Sequence, residues 1–360
     1  MANIFVTPTG AGEGNGTSWE NAYAGTNEAE DRPVSPADAV HVAPGTYRAT
    51  HTCDISGTPG NPITYRGDYD GAMGSPPDPI TGRVVRITGS NDDIGATRQY
   101  AIFNARTYRT FRGFQGDLTT SHTFYNLNSD NCVFDKCYIG DSGSGSHGIF
   151  ISASTNFQIT NCKFRRGATG FSRALSFYHA SGQSNAGHVV NNCIFNSCFY
   201  GILTERVGGI SVINSDFSGY YGIRIQTALP AGQAVTVNNS IYSNLYYAVY
   251  ALSVGEIVED YNSFFGNITD RTNVAVGANS NTYPPLFDSR WFFELASRGQ
   301  KLVSPFDLSA ASQLINVAGT SPTTTDLRGQ AVIGAEREWG ALEYNSALSR
   351  AVGMSRGRTI

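Results

Sequence analysis

The chain has 360 residues, a net charge of −4 and 15% charged side chains, against ~25% in ordinary soluble domains, with 40 glycines and 12% aromatics. Low net charge with this apolar content excludes a disordered chain, and the excess of Gly, Asn, Ser and Thr over good helix formers excludes a helical bundle. No run of ~18 apolar residues is available to cross a membrane as a helix, and the charge balance gives no basis for general affinity to nucleic acid or acidic membranes.

The N-terminus, MANIFVTPTGAG, has no basic stretch followed by an apolar one. No secretory leader is read there, so cytosolic synthesis is expected, with secretion as the alternative. Residues 1–55 read as an N-terminal cap with the first strands. Gly10-Ala11-Gly12-Glu13-Gly14-Asn15-Gly16 lacks the lysine and the following helix of a phosphate loop and reads as a turn. His41, between Val40 and Val42, reads as a strand residue. The six cysteines are Cys53, Cys132, Cys137, Cys162, Cys193 and Cys198. Their close pairs are spaced Cys-x4-Cys, so buried free thiols are expected over disulfides or a metal cluster.

From residue 56 to 285 a repeat takes over. Asn, a small residue, any residue and an aromatic recur at Asn131–Phe134, Asn161–Phe164, Asn192–Phe195, Asn214–Phe217, Asn239–Tyr242 and Asn262–Phe265, with Asn spacings of 30, 31, 22, 25 and 23. A second short strand recurs at Gly148-Ile149-Phe150-Ile151, Ala174-Leu175-Ser176-Phe177, Gly201-Ile202-Leu203-Thr204, Gly222-Ile223-Arg224-Ile225 and Ala248-Val249-Tyr250-Ala251. A unit this small cannot bury its own apolar face and must stack on its neighbours. Parallel pairing then predicts an inward ladder of Cys132, Cys162, Cys193, Ser215, Ser240 and Ser263. Beside it runs a stack of Phe134, Phe164, Phe195, Phe217, Tyr242 and Phe265. The Asn column is expected at a turn, with its amides bonding along the axis. The fold class is all-β, a single parallel β-helix with N- and C-terminal caps.

The pattern fades after residue 285. Residues 286–345 read as a C-terminal capping segment, with Trp291-Phe292-Phe293-Glu294-Leu295 as its apolar plug. Residues 346–360 form a basic tail in which Arg350, Arg356 and Arg358 face no acid. The tail is read as a contact for another protein chain.

Three stretches carry a resemblance to the right-handed parallel β-helix proteins of the pectate-lyase-like superfamily. They are Ile4–Gly10 followed by Gly16-Thr17-Ser18-Trp19, Val40–Tyr47, and Ser56–Tyr65. Asp326–Gln330 and Trp339–Tyr344 are similar to the closing motif of the same group. The resemblance implies the right-handed turn of the solenoid and is uninformative on activity, because the superfamily includes lyases, hydrolases, epimerases, adhesins and phage proteins. It also implies an amphipathic helix after the first strand. Pro33 and Pro36 lie where that helix should run, so a remodelled N-terminal cap is expected.

A lyase of this superfamily would need Lys or Arg as base and commonly Ca2+ on carboxylates. Lys163, Arg165 and Asp216 are the candidates, read as one exposed patch, with a solvated Asp135–Arg165 pair as the structural alternative. Gly222–Thr227 and Ser146–Ile149 are similar to polygalacturonase motifs, but the carboxylate segments are missing and the two matches lie about three coils apart. None of the six histidines has a compelling catalytic partner in sequence. The aromatic pairs Phe199-Tyr200, Tyr220-Tyr221 and Tyr246-Tyr247 recur at one place in the repeat. Either one ring of each pair points inward, or Tyr200, Tyr220, Tyr221, Tyr246 and Tyr247 form a stripe that binds sugar rings or a protein neighbour.

The reading favoured is a non-enzymatic structural or adhesive protein. A phage-like particle component fits it best, as decoration protein, fibre or spike, with surface glycans as possible ligands and a homotrimer as a possible assembly. The alternative is a carbohydrate-active enzyme, a uronate-polysaccharide lyase ahead of a glycoside hydrolase. No cofactor is expected, except Ca2+ in the lyase case.

Overall fold

In a computed structural model of the chain, the described residues are 1–32, 34–75, 78, 82–90, 97–140, 147–165, 173–183 and 186–283. The capping segment 286–345, the plug Trp291–Leu295, the tail arginines Arg350, Arg356 and Arg358, and Pro33 lie outside them. So do the closing motif and Ser146. Among the described residues no helix is long and apolar enough to cross a membrane.

Every strand pairs in parallel with its equivalent one coil on. The first sheet has eleven strands, from Tyr23–Ala24 and Asn3–Thr7 at one end to Ile257–Asp260 at the other. The second and third faces of each coil follow, and Ile194–Val207, Asp216–Thr227 and Ile241–Tyr250 run through both as single strands. The chain is an all-β, right-handed parallel β-helix.

Stacking sorts the interior into columns. On the second face Ile139, Phe164, Phe195, Phe217, Tyr242 and Phe264 pair in register. The rings from Phe164 to Phe264 lie 4.6–5.0 Å apart and within 7° of parallel. Each such contact contributes about 0.5–1.5 kcal/mol beyond burial. The small-residue ladder beside them runs through Cys137, Cys162, Cys193, Ser215, Ser240 and Asn262. It closes on itself by hydrogen bonds: the Cys193 and Ser215 N–H groups donate to the Ser215 and Ser240 hydroxyls, and the Ser240 N–H donates to Asn262 Oδ1. All six cysteines are buried, and none forms a disulfide.

Four predicted members stand elsewhere. Phe134 belongs to the first sheet, between Phe111 and Ile159, and Cys132 sits with it. Phe265 points outward and Phe264 ends the stack. Asn262, not Ser263, closes the ladder. For Cys132 and Phe134 the reason is that the chain turns twice around the first sheet, once on each side, and both turns use one left-handed residue. For Ser263 and Phe265 it is that Tyr261, at φ 54°, takes that place in the last coil and shifts the register by one. Lys136, Asn161, Asn192, Asn214 and Asn239 make the second turn, at φ between 50° and 55°. Asn131 and Asn156 make the first, at φ 56°. Asn reaches this conformation more readily than other side chains, so the same motif marks either corner. Amides bond along the axis at both: Asn192 Nδ2 donates to Asn161 Oδ1 at 3.3 Å, and Asn156 Nδ2 to Asn131 Oδ1 at 3.2 Å.

Both ends of the described core are closed by an ion pair. A seven-residue helix, Gly25–Asp31, is present where remodelling was expected, and it ends at Arg32, before the prolines. Its Glu30 reaches the interior and takes both ends of the Arg109 guanidinium, at 2.6 and 2.8 Å. Arg109 is 0% exposed and also donates from Nε to the Ile55 carbonyl. Burial pushes the Glu30 carboxyl up, but Arg109 and His51 outweigh it and hold it below its ordinary value. At the far end Arg271 pairs with buried Glu259 at 2.8 Å and lies 3.9 Å over the Phe264 ring.

Removing one partner of a buried pair leaves an uncompensated charge. Arg109→Met should therefore lower unfolding free energy by about 3–5 kcal/mol, and Glu30→Gln in the same chain should recover part of it. Urea titration of the three variants measures this. A loss below about 1 kcal/mol in the single variant would mean that the pair does not hold the helix on.

Candidate functional site

The third face presents the chemistry. A small residue stands at the bend of five successive coils, at Gly148, Ala174, Gly201, Gly222 and Ala248. A Cβ on Gly201 or Gly222 would come within 2.6 or 2.5 Å of the next coil's carbonyl, so glycine is required at these two bends. The residue before each bend and the second residue after it face outward. Two adjacent columns result. One runs Tyr100, His122, His147, Arg173, Tyr200, Tyr221, Tyr247. The other runs Phe103, Tyr125, Phe150, Ser176, Leu203, Arg224, Tyr250 in the same coils. Neither contains a carboxylate.

Both rings of each predicted aromatic pair lie on this outer side, so the one-in, one-out arrangement does not occur. Phe199, Tyr220 and Tyr246 form one pile, with centroids 4.8 and 4.7 Å apart. Tyr200, Tyr221 and Tyr247 form the other, at 5.0 Å per step. Tyr246 is 38% exposed and the rest are half-buried. Arg224 lies among Tyr200, Tyr221 and Tyr250, its guanidinium 4.9–5.6 Å from the three ring centres. It donates from Nη1 to the Tyr200 hydroxyl at 2.8 Å.

Nearer the N-terminus the columns hold a polar cluster that no sequence motif announced. His122 and His147 stack at 4.7 Å and 15°. Arg173 Nη1 lies 2.8 Å from His147 Nε2, and His147 Nδ1 lies 2.9 Å from the Ser176 hydroxyl. A guanidinium can only donate, so Nε2 accepts and the ring proton sits on Nδ1. His147 therefore donates to Ser176 and does not draw its proton, which is the opposite of an activated serine. Burial, then the neighbouring His122 and Arg173, lower the His147 pKa to about 2. Burial, then Arg173, lower that of His122 to about 4. Both rings are neutral at pH 7. The signal for this cluster was positional: His147 and Arg173 precede bends that the repeat had already located, Ser176 lies just after one, and His122 stands one coil earlier in the same column.

The predicted lyase patch does not assemble. Lys163 and Arg165 lie on the second face, on the strand Lys163–Arg165, with Arg165 exposed. Asp216 shares the Lys163 column but stands two coils away beyond Ile194, and it is 1% exposed. Sequence reading puts Asp216 in an exposed patch; its position alternates with the inward Phe217, but the column on this face is covered, and Asp216 is buried. Asp135 pairs with Arg112 at 3.1 Å, not with Arg165, because it belongs to the first sheet. His147 and Arg224, from the two polygalacturonase-like segments, stand three coils apart as expected.

Among the described residues one group of three metal-ligating side chains comes together: Glu30, His51 and Cys53, buried in the N-terminal core. Its carboxylate already holds Arg109, and an imidazole with a thiol does not suit Ca2+, which takes six to eight oxygens.

A family model described as a right-handed β-helix region matches residues 87–217. No curated protein matches the sequence. Among solved structures, a rhamnogalacturonan lyase is similar at 15% identity and a TM-score of 0.58, over 87% of this chain and 96% of that one. The pectate lyase Pel9A is similar at 17% identity and 0.52, over 96% and 97%. The GH136 lacto-N-biosidase of Eubacterium ramulus gives 9% identity and 0.50, over 76% and 57%. At these identities the likeness is one of fold.

The histidines make stability depend on pH. In the unfolded chain His147 binds its proton near pH 6.5, and in the folded chain only near pH 2. The unfolded state thus holds more protons below pH 6.5, and stability falls as the pH drops from there. His147→Gln should remove about 2 kcal/mol from the loss between pH 7 and pH 5. Unfolding free energies of both chains at the two pH values measure it, and equal losses would show that His147 is not held neutral.

Proposed function

We propose that this chain is a structural or adhesive β-helix that binds glycans along the outer face of its third sheet. The observation that supports it is the pair of outward columns from Tyr100 to Tyr250. They offer rings, phenol hydroxyls and two arginines, repeat every ~4.8 Å, and carry no carboxylate. Aromatic edges with hydrogen-bonding tips, and a ring face where a pile ends, suit sugar rings, whose surfaces alternate apolar C–H and hydroxyl groups. Arg173 and Arg224 add charged donors for sugar hydroxyls or acidic substituents. The array is rigid, because each ring is packed against the next coil, so little ordering entropy is lost on binding. The names of the fold's solved relatives, two lyases and a lacto-N-biosidase, agree with a carbohydrate ligand.

Adhesion is favoured over cleavage because the residues first considered for elimination are dispersed and the serine–histidine pair is oriented against nucleophilic attack. A uronate-polysaccharide lyase is the second reading. The half-exposed neutral His122 beside Arg173 favours it, as a base next to a carboxylate partner. The placement on a particle surface, the contacts of Arg350, Arg356 and Arg358 with another chain, and a trimeric assembly belong to the same proposal. Quantifying the chain in purified particles against the soluble fraction tests them.

The glycan reading is tested by calorimetry of the full chain against a panel of neutral and acidic polysaccharides. Arg224→Gln should weaken the binding found by about tenfold or more, the worth of one charge-assisted hydrogen bond. Retention of no polysaccharide on the panel would dismiss the proposal. Release of an unsaturated uronate product, lost in His122→Ala, would replace adhesion with the lyase reading.

A further inference from the structure

The aromatic piles end abruptly. Within a pile each inner ring, such as Tyr220 or Tyr221, has a ring stacked on both faces, so neither face is open to a ligand. Among the described residues the last rings, Tyr246 and Tyr247, have a stacked partner on one side alone. On the next coil Tyr247 pairs with Thr269 and Tyr250 with Thr272. The Ile268 N–H bonds the Leu245 carbonyl, which sets Ile268 beyond Tyr246. Non-aromatic side chains, Ile268, Thr269 and Thr272, thus follow the rings over the strand Thr269–Thr272, each smaller than the ring it succeeds. Tyr250 stands edge-on to Tyr247 at 5.7 Å and 81°, walling the step on one side. Ile268 is 70% exposed, and Thr269 and Thr272 are half-exposed on the floor.

We propose that this step is a subsite for one pyranose ring, which stacks on the open face of Tyr247 where the next aromatic of the pile would otherwise lie. Tyr246 and Tyr250 flank the sugar, and the hydroxyls of Thr269 and Thr272 meet its hydroxyl groups. The subsite rests on the glycan-binding reading and specifies which rings bind: terminal rings hold ligand, and inner rings hold the solenoid together. The repeat supports the fit, since the apolar C–H face of a pyranose chair can take the next place in a stack whose steps are 4.7–5.0 Å.

Four full-length chains test this: the unchanged protein, Tyr247→Ala, Tyr221→Ala and Thr269→Tyr. The probe is an array of oligosaccharides from neutral and acidic polysaccharides, with thermal midpoints measured in parallel. Tyr247→Ala should weaken binding by about tenfold, the value of one aromatic stacking contact. Tyr221→Ala should lower the midpoint more than Tyr247→Ala does while keeping more of the affinity. Thr269→Tyr should extend the pile, raise the midpoint and block binding. Absence of binding by the unchanged chain would overturn the glycan reading and the subsite together. Binding that survives both Tyr247→Ala and Thr269→Tyr would overturn the subsite alone. A lowered midpoint in Thr269→Tyr would also overturn it, since the step would then be filled already by the chain itself.

Discussion

Parallel stacking of one coil on the next, ~4.8 Å apart, is the constraint from which the rest of the molecule follows. Each interior side chain must find its packing partner at the same register one coil on, so residues sort into columns rather than into local clusters. The ring column from Phe164 to Phe264 and the thiol and hydroxyl ladder beside it are direct results. So is the glycine at the bends of Gly201 and Gly222, where the next coil's carbonyl leaves no room for a Cβ. The corners need a left-handed residue, and asparagine supplies it while its amide bonds along the axis.

A stack has ends, and its ends are where polar groups enter the core. Glu30 and Arg109 meet under the N-terminal helix, and Glu259 and Arg271 meet over the last ring of the phenylalanine column. A buried pair is weak as a source of stability but strict about geometry, because either partner alone is costly. Such pairs therefore suit the task of fixing where the helix docks and where the ring column stops.

The outer face obeys the same register, and that gives it a function-bearing form. Outward residues that would be scattered on an ordinary surface become ladders, so tyrosines, histidines and arginines separated by more than twenty positions in sequence touch. Proximity sets their chemistry as well: Arg173 orients the proton of His147 toward Ser176, and Arg224 occupies the space among three tyrosine rings. The array offers recognition by shape and hydrogen bonding, with reactive groups that are mostly held in non-nucleophilic states.

The period, the parallel solenoid, the second-strand columns and the buried thiols were legible in the residues, because each depends on spacing along the chain. What spacing could not decide was which corner a motif marks. Asn131-Cys132-Val133-Phe134 and Asn161-Cys162-Lys163-Phe164 are alike in sequence yet flank opposite sides of the first sheet, since both corners demand the same backbone conformation. Nor could it say that Asp216, an outward residue, is buried, or that His122, His147, Arg173 and Ser176 adjoin. By itself the sequence determined the repeat and hence the fold, for apolar periodicity is a local property. What adjoins the tyrosine stripe on the outer third face was decided by tertiary structure, because it depends on register between coils and on what covers each column.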